Sequence, residues 1–99
     1  MYDKLRDKMR AKIRTLDYVM TLHAEEEMEN DRLSILDVES AILNGEIVER
    51  QRDIESGESK YLVTSEAFDE GPLTVVVKLA ETGKLVIITV YREENRYEN

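Results

Sequence analysis

Residues 34–52, SILDVESAILNGEIVERQR, decide the fold, because a helical pattern ends and an extended pattern begins within them. Ser34 and Asp37 have the spacing of a capping box, which begins a helix. The apolar stripe of that helix consists of Ile35, Val38 and Ile42. Asn44-Gly45 predicts a left-handed stop. Helices that precede the strands, rather than alternate with them, indicate an α+β domain.

Two more helices are predicted before this stretch. In the first of them, apolar residues recur at helical spacing at Leu5, Met9, Ile13 and Leu16. Thr21 is a suitable N-cap for a short second helix, in which Ala24 and Met28 face inward. The second helix also carries His23, the single histidine of the chain.

Four extended runs follow Gly45 and are joined by short turns. They cover residues 46–52, 60–68, 73–80 and 84–92. Short connections favour antiparallel pairing between consecutive strands. The expected architecture is therefore two to three N-terminal helices packed on one face of a four-stranded antiparallel sheet.

A two-residue turn at Thr82-Gly83 sets the expected register of the last hairpin. The predicted pairs are Leu79 with Val86, Lys78 with Ile87, Val77 with Ile88, Val76 with Thr89, Val75 with Val90 and Thr74 with Tyr91. Alternation along the strands then gives one apolar face, which seats the helices. The opposite face presents an ammonium, two hydroxyls and a phenol on an apolar floor. A three-residue turn would change this relation between the faces.

The net charge of −8 is unevenly distributed along the 99 residues. Residues 1–14 hold six bases against two acids, which predicts a basic amphipathic helix over residues 1–16. The acidic remainder opposes strong nonspecific binding to nucleic acid. Residues 93–99 are predicted to form a polar tail. The whole chain is expected to form a single domain.

Composition excludes several classes of protein. Without cysteine the chain has neither disulfides nor thiolate ligands for zinc, and one histidine is a poor basis for a metal site, so no metal or cofactor is predicted. The glycines stand one to a turn, which excludes a phosphate-cradling loop. The longest apolar run, residues 85–90, is too short to span a membrane, and the N-terminus lacks the apolar core of a signal peptide. A cytoplasmic location is expected.

The order of several short motifs resembles a known bacterial family. The motifs are Thr21-x-His23-Ala24, Met28, Ser34, Asp37-Val38, Ala41-Ile42, Asn44-Gly45-Glu46-Ile47, Tyr61, Val75-Val76-Val77 and Ile88-Thr89-Val90-Tyr91. Over about residues 18–92 they resemble the bacterial domain of unknown function 4258. That family is similar to the RelE-like and BrnT-like toxins, small endoribonucleases of toxin–antitoxin pairs. The resemblance implies a RelE-like fold, RNA or the ribosome as a target, and a small antitoxin protein as a partner.

The chain departs from the family pattern at two positions. Family members usually read His-Ala-x-x-Arg-Met with a second arginine shortly after, whereas this chain has Glu27 at the first position and Asn30-Asp31 around the second. If those arginines bind phosphate, this chain has lost that contact. If they pair with acidic residues, only its surface has been rearranged.

The chemistry implied by the resemblance needs no metal, because an RNA 2′-hydroxyl can attack its own phosphate when a base removes its proton and cations hold the developing charge. The candidate catalytic residues are Lys78 for phosphate, Tyr91 for proton donation and His23 as a general base; the candidate substrate-binding residues are Tyr61, Thr89 and Arg92. The same side chains also fit purely structural roles. His23 would then pack at the start of the helix, Lys78 would be a solvated lysine, and Tyr91 would cover the edge of the sheet.

The sequence therefore predicts one of two functions. The first is a toxin that acts as a metal-independent endoribonuclease. The alternative is a noncatalytic protein-binding module of the same fold, whose acidic segment Glu25-Glu26-Glu27-Glu29 docks a basic antitoxin segment. No membrane partner is expected, and the stripe of the first helix also fits pairing with a second copy of the chain.

Overall fold

The computed structural model describes residues 1–93 and has three helices and five strands. In chain order they are α1 (Asp3–Arg14), β1 (Tyr18–Met20), α2 (Leu22–Asn30), α3 (Ile35–Asn44), β2 (Glu46–Arg52), β3 (Ser59–Ser65), β4 (Leu73–Leu79) and β5 (Leu85–Arg92). The α+β prediction is confirmed. Of the predicted polar tail at 93–99, only Glu93 lies within the described residues.

The sheet has the strand order β1-β5-β4-β3-β2, with β1 parallel to β5 and all other pairs antiparallel. The prediction of four antiparallel strands is therefore wrong, because β1 adds a fifth, parallel strand. Its central residue, Val19, lies opposite Val86. Three residues are too short to show the alternation by which strands are found in a sequence.

The β4–β5 hairpin follows the predicted register in only half of its length. Val75 pairs with Val90 and Val76 with Thr89, as predicted, but Val77 pairs with Ile87 and Leu79 with Leu85. The turn has three residues rather than two, since the Ala80 amide donates to the Lys84 carbonyl at 2.9 Å. A β-bulge at Ile88 takes up the difference of one residue.

The bulge changes which β5 side chains face the helices. The predicted inward residues were Val86, Ile88 and Val90, whereas the fully buried ones are Leu85, Ile87 and Val90. Lys78 consequently lies opposite Val86 and not Ile87. It keeps its predicted place on the face away from the helices, because its neighbour Val77 is the inward residue.

All three helices pack on one face of the sheet. They contribute to a single cluster of buried side chains, which includes Met9 and Ile13 from α1, Ala24 from α2, Val38, Ala41 and Ile42 from α3, and Val63, Leu73, Val75, Val77, Leu85, Ile87 and Val90 from the strands. The predicted inward positions of α2 and most of those of α3 are confirmed. Ile35 is an exception, as it is exposed at the first turn of α3.

The ends of α1 and α2 use left-handed residues that are not glycine. Leu16 and Arg32 both have φ of 57°, and the amides that follow them, those of Asp17 and Leu33, donate to the Lys12 and Met28 carbonyls at 2.8 Å. This is the Schellman pattern. Leu16 therefore lies outside the helix and is 71% exposed, so its predicted place in the apolar stripe is wrong.

Gly45 does not have the predicted left-handed conformation. It has φ of −88° and ψ of 179°, so α3 passes directly into β2. A glycine is required for space instead, because a Cβ there would lie 2.4 Å from the Ala41 carbonyl oxygen and 2.7 Å from that of Thr64. Arg10 of α1 donates to the Gly45 carbonyl at 2.7 Å, which ties the basic helix to this junction.

Candidate functional site

The face of the sheet that points away from the helices, here called the outer face, carries most of the predicted site residues. Lys78 and Val76 of β4 belong to it, because they alternate with the inward residues of that strand. Thr89 lies opposite Val76, and Tyr91 lies opposite Thr74. The predicted combination of a lysine, hydroxyls and a phenol on an apolar floor is therefore present on this face, although its members are not all close together.

One end of the outer face forms a groove of about 490 Å³. Lys78 lies in its wall and forms an ion pair with Glu58, with 3.2 Å between Nζ and Oε2. The other lining residues are Gln51, Arg52, Asp53, Ser59, Lys60 and Ile88. The groove is thus formed by the ends of β2, β3 and β4 and by the bulge of β5, and it contains three cations and two carboxylates.

The other end of the outer face is rich in hydroxyl groups. The Thr64 and Thr74 hydroxyls are 2.8 Å apart and bonded to each other, which satisfies Thr74, a residue only 1% exposed. Tyr91 and Thr89 are half-buried beside them on β5. These two side chains add two further hydroxyl groups at this end.

His23 lies at the edge of the sheet, beside the hydroxyl end. Its Nε2 is 3.2 Å from Oε1 of Glu27, one helical turn later, and the same oxygen accepts a hydrogen bond of 3.3 Å from the Val90 amide of β5. The imidazole itself is exposed, with 64% of the side chain accessible. Glu27 contacts Nε2, so the second ring nitrogen, Nδ1, is the one that this carboxylate leaves free of contact.

Side chains of α2 and its N-cap replace a strand along part of β5. β1 ends at Met20, opposite Ile87, so beyond that point the backbone of β5 has no strand neighbour on this side within residues 1–93. The Thr21 hydroxyl donates to the Ile88 carbonyl at 2.9 Å and accepts from the Ala24 amide at 3.1 Å, which confirms Thr21 as the N-cap. Glu27 then accepts the Val90 amide. An arginine at position 27 could not accept this hydrogen bond, because a guanidinium has no acceptor atom.

Tyr61 and Arg92 lie on the helix side of the sheet. Tyr61 pairs with Val77 and its ring packs edge-on against Tyr2, with 6.2 Å between the ring centroids. Arg92 lies opposite the buried Leu73, and its Nη1 is buried without a hydrogen-bond partner among residues 1–93. The structure therefore separates these two residues from the outer face, and their role in substrate binding stays a prediction.

The resolved pKa shifts lie outside the outer face. Burial raises the pKa of Tyr18 to about 12, with further contributions from the hydrogen bond that its hydroxyl donates to Glu39 at 2.5 Å and from that carboxylate's charge. Hydrogen bonds from Lys12 and then Lys84 lower the pKa of Asp17. Both groups anchor β1 to neighbouring elements, so we assign them structural roles.

The arrangement provides three chemical groups on and beside the outer face. These are an oriented imidazole, two hydroxyl donors on β5 and a cationic groove at the far end. Within residues 1–93, no three histidine or acidic side chains come together in a group that could hold a metal ion. The same residues contain no helix that is long and apolar enough to cross a membrane.

Two functional features were missed from the sequence. The contact between Glu27 and Val90 joins residues that are 63 positions apart, and no local pattern marks it. Lys60 was overlooked although strand parity could have placed it, because it is one residue before the inward Tyr61 on β3.

Comparison with known proteins gives one match. The profile of a family described as "Domain of unknown function (DUF4258)" matches residues 20–92. The matched segment contains His23, Glu27, Lys78 and Tyr91, whereas α1 precedes it. Searches of curated proteins and of solved structures found no match.

Proposed function

This chain belongs to the DUF4258 family, and from its outer face we propose that it is the toxin component of a bacterial toxin–antitoxin pair that cuts RNA without a metal ion. The observation that carries the proposal is the contact of His23 with Glu27, whose carboxylate is itself fixed by the Val90 amide. A base held by an oriented carboxylate is the arrangement that general-base catalysis requires.

The proposed reaction begins at Nδ1 of His23, which takes the proton of an RNA 2′-hydroxyl. The 2′-oxygen then forms a bond to the adjacent phosphorus atom, and the bond from phosphorus to the 5′-oxygen breaks. Tyr91 donates its phenolic proton to the leaving oxygen, and after cleavage His23 gives up its proton to water while Tyr91 takes one from water, which restores both groups. The products are a 2′,3′-cyclic phosphate and a 5′-hydroxyl end, with no change of oxidation state.

Thr89 positions the RNA in this scheme. Thr89 is half-buried, and its side chain lies on the same face as that of Tyr91, two residues further along β5. Its hydroxyl can therefore donate to a phosphate oxygen while Tyr91 serves the leaving group. Hydrogen-bond donors aimed at developing charge on phosphate supply much of the rate enhancement in such reactions.

The test uses tightly induced expression of the wild type in bacteria, followed by mapping of RNA ends. We expect growth arrest and new 5′-hydroxyl ends, both lost in His23→Ala and Tyr91→Phe. The purified wild type should cut RNA in the presence of a chelator. The control is Tyr2→Phe, which also removes one phenolic hydroxyl, but on the helix side of the protein, where Tyr2 contacts Tyr61. This variant should act like the wild type. Intact RNA with folded wild-type protein would refute the proposal.

The acidic face of α2 supports the noncatalytic alternative. Glu25, Glu26 and Glu29 are exposed, and within residues 1–93 none of them forms an ion pair. Such a face suits a basic segment of an antitoxin, which would bind whether or not the domain is a nuclease. Charge reversal at Glu26 and Glu29 should weaken capture of the antitoxin and leave RNA cleavage unchanged. His23→Ala should abolish RNA cleavage and leave capture of the antitoxin unchanged.

A further inference from the structure

We propose that the groove at the end of the outer face is a second phosphate site, which holds the RNA backbone away from the point of cleavage. This inference rests on the proposed function for its substrate class, although the groove can be tested separately. Two positive charges lie opposite each other in this groove. Continuing the β3–β4 register one step past Tyr61 and Val77 puts Lys60 directly opposite Lys78.

Two lysines directly across a pair of strands repel each other and destabilise the sheet. Only one of them has a carboxylate partner, because Glu58 pairs with Lys78 and no ion pair forms at Lys60 within residues 1–93. The pair is therefore left with an excess of positive charge. An anion bound between the two strands would remove the repulsion.

The remaining charged groups of the groove leave room for that anion. Asp53 is turned towards its own loop, where its Oδ1 accepts the Glu55 and Ser56 amides at 2.8 and 3.1 Å. Arg52 donates from Nε to the Gly57 carbonyl, and no other residue between 1 and 93 bonds the two terminal nitrogens of its guanidinium, which can bind a ligand. The groove thus presents Arg52, Lys60 and part of Lys78 to a ligand, on a chain whose net charge is −8.

A phosphodiester backbone fits this site better than a small free anion. Ile88 adds an apolar surface to the wall of the groove, on which a base or ribose can rest. The outer face then runs without interruption from the groove to Thr89 and Tyr91. A single strand can lie along it with one phosphate in the groove and another beside His23.

The spacing of the two sites predicts the length of the substrate. Lys78 and Val75 are three positions apart on β4, and Val75 lies opposite Val90, where the His23–Glu27 pair meets β5. At about 3.3 Å per residue this is about 10 Å along the sheet, because the bulge at Ile88 adds a residue to β5 and none to β4. Stacked nucleotides rise by about 3.4 Å each, so the sites are at most about three nucleotides apart. A dinucleotide has a single internucleotide phosphate and should therefore fill only one of them.

Binding is measured first, by fluorescence anisotropy with a labelled decamer of oligodeoxythymidine, which has no 2′-hydroxyl and so cannot be cut by the proposed reaction. Lys60→Ala should weaken binding about three- to tenfold at low salt and reduce the slope of log K against log salt by about 0.7, the value for one phosphate contact on a single strand. Glu58→Gln should tighten binding, since it removes a negative charge from the groove. The matched controls are Lys8→Ala, at an exposed position of α1, and Glu55→Gln, at the tip of the loop. Both should keep the affinity for the decamer within about twofold of the wild-type value.

Cleavage is measured next with the same variants. Lys60→Ala should raise KM for a decaribonucleotide and leave kcat unchanged, and it should not alter cleavage of a dinucleotide. If Lys60→Ala weakens binding of the decamer but the wild type cuts no RNA, the groove stands and the proposed nuclease fails. If RNA is cut but Lys60→Ala and Lys8→Ala behave alike, the groove is refuted and the nuclease stands. Absence of any binding to the decamer also refutes the groove.

Discussion

The Glu27 carboxylate binds the backbone amide of Val90 at 3.3 Å, across 63 residues of sequence. Val90 is fully buried, and β1 ends before it reaches this part of β5. A side chain of α2 therefore supplies the acceptor that a neighbouring strand would otherwise provide. The same oxygen contacts His23, so the edge of the sheet and the proposed base are held by one group.

This dual role predicts the effect of substitution at Glu27. Glu27→Ala should lower the free energy of unfolding by about 1–2 kcal/mol, because the buried Val90 amide loses its partner. Glu27→Arg should cost at least as much, since arginine has no acceptor. Glu27→Gln keeps an acceptor oxygen and should remain close to the wild type. Urea unfolding measures the series, with the exposed Glu26→Ala as control; equal effects at positions 26 and 27 would contradict the assignment.

Gly45 should not tolerate a side chain. In Gly45→Ala the new Cβ meets two backbone oxygens, those of Ala41 and Thr64, which cannot rotate away. We expect a loss of about 2–3 kcal/mol in the free energy of unfolding. Gly57→Ala is the matched control, because Gly57 has φ of +75° but open space around it, and it should lose about 1 kcal/mol. A ranking in the opposite order, from thermal or urea unfolding, would show that space is not the constraint at Gly45.

Leu16 offers a site for stabilisation. It has a left-handed conformation at the end of α1 and is 71% exposed, so Leu16→Gly removes backbone strain and loses little packing. The gain should be about 0.5–1 kcal/mol, after allowance for the greater freedom of glycine in the unfolded chain. The same change within the helix, at the exposed Ala11, should instead destabilise by about 1 kcal/mol. Urea midpoints with an unchanged m-value give both numbers; a destabilised Leu16→Gly would rule out strain.

The raised pKa of Tyr18, about 12, predicts a loss of stability in alkali. The folded state holds this proton more tightly than the unfolded chain, in which a tyrosine ionises near pH 10. The stabilising contribution is therefore complete below pH 10 and is lost as the pH rises towards 12. Tyr18→Phe should flatten the stability profile in that window. Ultraviolet titration of the folded protein should show Tyr18 ionising after an ordinary tyrosine, and simultaneous ionisation would disprove the shift.

Local signals in the sequence predicted the helices well. The capping box at Ser34 and Asp37 and the Thr21 cap both depend on contacts within a few residues, and both are present.

The β4–β5 register was half correct for a physical reason. Gly83, with φ of 92°, suits either a two- or a three-residue turn, and the bulge at Ile88 restores the predicted pairs only beyond it.

Long-range features escaped prediction. β1 is a strand only because β5 lies beside it, and three residues carry no pattern of their own. The candidate site shows the same division. Strand alternation placed Lys78, Thr89 and Tyr91 on one face, and the four-residue spacing of His23 and Glu27 is one that brings side chains together on a helix. Neither pattern could show the groove around Lys78 or the hydrogen bond from the Val90 amide to Glu27.

The position of β5 within the sheet also governs how the chain can be made. β5 lies between β1 and β4 and contacts α1 and α2, yet it follows all of them in sequence. On the ribosome, β1 and α2 therefore lack their partner strand until β5 emerges, and the Thr21 hydroxyl gains its acceptor, the Ile88 carbonyl, only 67 residues later. Because such distant contacts slow folding, the apolar side chains of nascent β1 and α2 stay exposed for longer than those of α1, which can pack on α3, and they are the ones that a chaperone would protect.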